Sequence, residues 1–115
     1  MTKDSIRNIE RAFKRALQDS FFGIYGQLNL RSIMMHKKSF FELLLEDPRA
    51  AYEIVKSAVA SEEGAKFFFE EAILKALALA LGKPGLEKEL AARIMNDETE
   101  KAREFIKKAI SQVDP

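Results

Sequence analysis

The sequence predicts an all-α protein: a compact bundle of about five to six helices around a buried central helix near residues 62–81. Three observations carry this expectation. The stretch Ala65–Leu81, AKFFFEEAILKALALAL, is apolar on more than one side. Apolar residues elsewhere recur at three- and four-residue spacing, the period of a helix face. Helix caps and stop signals cut the chain into pieces of helical length. At 115 residues, all of 1–115 is expected to form one domain that needs neither metal nor disulfide.

The central element is bounded at both ends. Ser61 is a good N-cap with Glu62 and Glu63 in the first turn, and Gly82-Lys83-Pro84-Gly85 stops the helix. Phe67, Phe68 and Phe69 are consecutive, so at about 100° per residue they sweep most of one side. Lys66, Glu70, Glu71 and Lys75 are expected on one narrow strip, and Ala76–Leu81 is apolar all round, which places the helix inside the bundle with a single edge reaching water. The alternating Ala-Leu run imitates a strand, but both are strong helix formers and no β-branched residue lies between Lys75 and Gly82. A membrane span is excluded by length, because charges interrupt the first half and a span needs roughly 18 uncharged residues.

Helix 1 is expected from Thr2 or Asp4 to about Ser20. Ile6, Ile9, Phe13, Ala16 and Leu17 lie on one face, and Lys3, Arg7, Arg11, Lys14 and Gln18 on the other. Phe21, Phe22, Gly23, Ile24, Tyr25 and Gly26 then suggest a bend, with a second helix at about Leu30–Lys38 that turns Leu30, Ile33 and Met34 inward. Ser39 with Glu42 reads as a capping box for Phe40–Leu45, and Asp47-Pro48 restarts the chain as N-cap and first helical residue. Ala51, Tyr52, Val55, Ala58 and Val59 form the next inward face. After Gly85 come Leu86–Met95, with Leu86, Leu90, Ala91 and Ile94 inward, and a last helix capped by Asp97 with Glu100.

The chemistry of catalysis is not written in these residues. There is no cysteine, one histidine (His36), and no phosphate-binding, dinucleotide, zinc or nucleophile motif. A carboxylate-bridged metal site in a bundle needs Glu-x-x-His pairs from two helices, which a single histidine cannot supply. No catalytic, cofactor-binding or metal residue is therefore assigned, no cofactor is expected, and the chain reads as non-enzymatic. Glu70 and Glu71 are taken as solvent edge, although a desolvated carboxylate there would be a site candidate. The nine phenylalanines are read as core before they are read as an apolar ligand pocket.

Three surfaces are candidates for contact: a basic face, the apolar stripe of the last helix and the aromatic turn at Phe21–Tyr25. Met1–Lys38 holds eight basic and three acidic groups, net +5, whereas Ser39–Pro115 holds eleven and fifteen, net −4. A basic front and an acidic back could steer a partner or the chain's own copies. Lys3, Arg7, Arg11, Lys14, Arg15, Lys37 and Lys38 would meet nucleic acid or an acidic partner, or simply form a solvated face. Ala102, Phe105, Ile106, Ala109, Ile110 and Val113 form a clean stripe on the last helix, which either packs on the domain's own core or docks on a second copy. The absence of a visible N-terminal signal predicts a cytoplasmic chain.

The run EDPRAAYEIVKSAVASEEGAKFFFEEAILKALALALGK, Glu46–Lys83, resembles the pattern of small archaeal all-helical proteins of uncharacterised function, among them helical output domains of archaeal signalling proteins. The shared elements are Asp47-Pro48, a helix, the Gly64-Ala65 junction, a helix with an acidic middle and apolar ends, and a terminal Leu81-Gly82. These are caps and patterns, not ligands, and the last helix lies outside them. The resemblance implies a helical domain that acts through contacts in signalling or regulation. The expected function is thus a self-associating interaction module, with nucleic-acid binding through the basic face of helix 1 as the alternative.

Overall fold

Side-chain caps decide where several helices begin. In the computed structural model, which describes residues 3–20, 23–59 and 61–112, Ser39 Oγ accepts from the Glu42 amide at 3.2 Å and Asp47 Oδ1 from the Ala50 amide at 3.2 Å. Ser61 Oγ accepts from the Gly64 amide at 3.0 Å. Each such cap stabilises its helix by about 1 kcal/mol. The chain is close at Gly64, where a Cβ would come within 2.7 Å of Ser61 Oγ and 3.3 Å of Val59 Cγ1.

The helices are α1 (Lys3–Ser20), α2 (Ile24–His36), α3 (Phe40–Glu46), α4 (Pro48–Ala58), α5 (Glu62–Phe68), a π-helical segment (Phe69–Leu74), α6 (Lys75–Ala80), α7 (Leu86–Met95) and α8 (Thr99–Gln112). α5, the π segment and α6 follow one another without a break. The described residues therefore hold seven helical rods and no strand, against the five to six helices expected, with α3 and α4 separate on either side of Asp47 as the two caps require. Gly82, at φ +70°, ends the central rod as expected: the Lys83 amide donates to Ala78 O at 2.9 Å, the bond that closes a helix C-terminus.

The central rod is enclosed by its neighbours. α1 runs along α6, α4 packs on α5, and α7 packs on the π segment. Buried residues from every helix join in one core, and the radius of gyration is 12.9 Å, close to the ~13 Å expected for a folded chain of this length. Phe13, Phe40, Phe41 and Tyr25 fill the space between α1, α2 and α3, with the Phe13 and Phe41 rings 5.4 Å apart. On the other side Phe69 meets Tyr52 of α4 edge to face, centroids 5.3 Å apart. Leu86, Leu90, Ala91 and Ile94 of α7 face the core as the periodicity requires.

Three local expectations are corrected. The bend before the second helix needs only Gly23, at φ +85°, so α2 starts at Ile24 and carries Gly26 inside it; Phe21 and Phe22 lie outside the described residues. Asp97 does not cap α8. It sits at φ +59° just past α7, where the Glu98 amide donates back to Arg93 O at 2.8 Å, and α8 opens with the Ala102 amide donating to Glu98 O. In the central rod Phe69 is fully buried, but Phe67 is 72 % exposed and Leu79 53 % exposed, so the rod is not apolar-buried all round its C-terminal half.

The π segment explains how Phe67 and Leu79 share an edge. Twelve residues of regular α-helix would leave Leu79 about 120° around the axis from Phe67. One extra residue accommodated by the wider turn takes out about 100° of rotation, which brings them to within ~20°. Glu71 and Lys75 lie between them at four-residue spacing.

Phe69 and Phe67 should therefore differ sharply on truncation. Phe69→Ala is expected to destabilise the fold by about 3–5 kcal/mol, and Phe67→Ala to stay within about 0.5 kcal/mol, both read from urea unfolding midpoints. Equal losses would contradict the assignment of the inward ring.

Candidate interaction surface

The large apolar side chains left exposed among the described residues fall in two places. Leu30, Ile33, Met34 and Met35 are on α2, and Phe67 and Leu79 are on the central rod. Leu30 (59 %), Ile33 (47 %) and Met34 (73 %) stand at i, i+3 and i+4, which makes one stripe. The sequence assigns these three to the core, and the structure overturns that. The inward face of α2 is instead Tyr25, Leu28 and Ser32, with Asn29 half-buried beside them.

The inversion has a physical cause in the turn that follows. Asn29 Oδ1 accepts from the Phe40 amide at 2.8 Å, and the buried Ser32 hydroxyl donates to Lys38 O at 2.8 Å. Polar side chains at 29 and 32 satisfy backbone groups of the α2–α3 connection that would otherwise be left without partners. With those positions turned inward, the helix must present Leu30, Ile33 and Met34 to solvent. The signal lay in Asn29 and Ser32, which sit at i and i+3 between Leu28 and the next cap.

The rim of this stripe is basic. No Asp or Glu occurs from Ile24 to Lys38, while Arg31, Lys37 and Lys38 do. Lys38 is neutralised by an ion pair with Glu46. Arg31 has no acidic partner among the described residues: its Nη1 donates to the neutral Ser57, to Oγ at 3.3 Å and to O at 3.4 Å. Gln27, Leu30, Arg31 and Met34 surround a shallow open hollow of about 370 Å³.

The second exposed apolar edge has the opposite rim. Phe67 has Glu63 one turn before it and Glu70 and Glu71 one turn after, against Lys66 beside it and Lys75 between it and Leu79, an excess of one acid. Glu70 and Glu71 are half-buried, so the solvent edge they were expected to form is only partly wet. Burial, followed by the hydrogen bond and charge of Glu71, raises the Glu70 carboxyl above the usual carboxylate range, and Lys88 opposes this. Glu87 of α7 is buried, and its Oε1 has no hydrogen-bond partner among the described residues. Among the described residues no group of three or more His, Asp or Glu is arranged to hold a metal ion.

The basic residues separate into two groups. Arg7, Glu10, Arg11 and Lys14 line one shallow hollow on α1, and Arg15 follows one turn on. Lys14 is engaged by Glu10 at 3.4 Å and lies 5.3 Å from the Tyr25 ring centroid, which leaves Arg7, Arg11 and Arg15 as an outward ladder. Lys37 and Lys38 lie on the α2–α3 turn and not in this hollow, and the Lys3 side chain is outside the described set.

The stripe on α8 serves the protein's own core. Ala102, Ile106, Ala109 and Ile110 are at most 3 % exposed and Phe105 is half-buried; Val113 lies outside the described residues. A second copy could reach these residues only by opening the fold, so the expectation of docking there gives way to internal packing. Phe13, Phe40, Phe41 and Phe69 each meet another aromatic ring in the core. The hollow beside Phe105 and Leu86 is open and holds about 220 Å³, below the ~300 Å³ at which ligand sites begin.

No helix among the described residues is long and apolar enough to cross a membrane. Comparison with known proteins gives no match to this chain, whether among family models, curated proteins or solved structures.

Proposed function

We propose that this chain is a helical interaction module that self-associates, and that α2 supplies the docking face. The observation that carries the reading is the stripe Leu30, Ile33 and Met34, exposed on an otherwise well-packed helix. A contiguous apolar face held toward water by a polar inner face is unfavourable for an isolated chain and favourable once covered. The separation of charge into a basic front and an acidic back supports a second copy as the cover, because each copy brings both signs. The resemblance of Glu46–Lys83 to archaeal signalling output domains favours a role in signalling or regulation.

A second reading rests on the Arg7, Arg11, Arg15 ladder. Successive steps of four residues set these groups about 6 Å apart along α1, a spacing suited to consecutive phosphates of a nucleic-acid strand. The ladder is a single helix face without a second basic element beside it, and this ranks it below self-association.

Light scattering over a wide range of protein concentration tests the leading reading. The average mass should rise with concentration, and L30Q/M34Q should hold the protein at monomer mass with its melting curve nearly unchanged, since both side chains are exposed. A monomer at every concentration would overturn the reading. For the second, titration of labelled duplex DNA should show binding whose logarithm falls with log salt at a slope of about −2.7 for three neutralised phosphates. No binding at low salt removes it.

A further inference from the structure

We infer that the surface covering the α2 stripe is the Phe67 edge of the central rod of another copy, so that the chains associate head to tail. This rests on the self-association proposed above and names the contact that makes it. The two exposed apolar surfaces of the described residues carry opposite rims, and that difference decides which pairing is favoured. An α2 stripe facing a second α2 stripe would bring Arg31 and Lys37 against their own copies with no acid on either helix, and like charges so placed repel. Phe67 facing Phe67 would bring Glu63, Glu70 and Glu71 together, with Lys66 and Lys75 offsetting part of the repulsion. Phe67 facing α2 sets the acidic rim against the basic one.

The shapes also fit. Phe67 is a single protruding ring, 72 % exposed, and the hollow among Gln27, Leu30, Arg31 and Met34 is open, apolar on two sides and bounded by a guanidinium. A ring seated there would lie against Leu30 and Met34 with Arg31 available to its face, a favourable cation–π arrangement. Glu63 and Glu71 stand one turn either side of Phe67, placed to meet Arg31 and Lys37. The π segment contributes by keeping Phe67 and Leu79 on one edge, which lengthens the apolar line that can be covered. Because the contact joins two different surfaces, each copy of a pair retains one unused face and the pair as a whole one of each kind, so growth continues to a ring or an open chain.

Two variants separate this contact from the alternatives by sedimentation velocity: L30Q/M34Q, which removes the hollow, and Phe67→Gln, which removes the ring. Circular dichroism checks that each is folded. Each alone is expected to be monomeric where the wild type forms species larger than a dimer, and an equimolar mixture is expected to form a one-to-one dimer that grows no further. The mixture holds one intact face of each kind, and only a head-to-tail contact is rescued that way. If Phe67→Gln associates as the wild type does, α2 pairs with another surface: the head-to-tail contact is overturned and self-association stands. If both variants are monomeric and their mixture is too, the head-to-tail contact is again overturned. A wild type monomeric at every concentration removes the underlying reading itself.

Discussion

Enclosure of one helical rod governs the arrangement of the others. From Ala65 to Leu81 the chain carries more apolar surface than any single neighbour can cover, and at about 25 cal/mol per Å² each uncovered face is a large loss. α1, α4 and α7 take three sides of it. Phe69 sets one of these contacts, because its ring is buried against Tyr52, itself covered by Arg49 and Lys56 at 5.2 and 5.7 Å from its centroid. α2 and α3 then complete the shell through the rings packed around Phe13 and Phe41.

The parts legible in the sequence are those fixed by local chemistry. Ser39, Asp47 and Ser61 cap their helices because a short polar side chain can reach the amide three residues on. The faces of α7 and α8 are legible because their apolar residues lie on one side only. α2 defeats the same reasoning: its apolar residues occupy both sides, and the inward one is chosen by Asn29 and Ser32, whose hydrogen bonds run to the following turn. The π segment is set by tertiary packing, which must seat Phe69 and Ala72–Leu74 together, and no propensity at Phe69–Leu74 announces it.

The candidate surface was illegible for the same reason. Periodicity assigned Leu30, Ile33 and Met34 to the core and left Ile106 and Ile110 as candidates for contact, and the fold exchanges the two. An interaction face must resemble a core face in composition, so only its position relative to the rest of the chain tells them apart. Charge is more transparent. The basic N-terminal third and the acidic remainder are visible in the sequence, and on the folded chain they become the rims of two different apolar surfaces.

Amide hydrogen exchange at low and high protein concentration tests the account most directly. The amides of Ala72–Ala78 are expected to be among the slowest at both concentrations, exchanging only with global unfolding. Those from Gln27 to Met34 should slow markedly at the higher concentration as α2 is covered. Exchange in α2 that does not change with concentration, or a central rod that opens before α8, would contradict it.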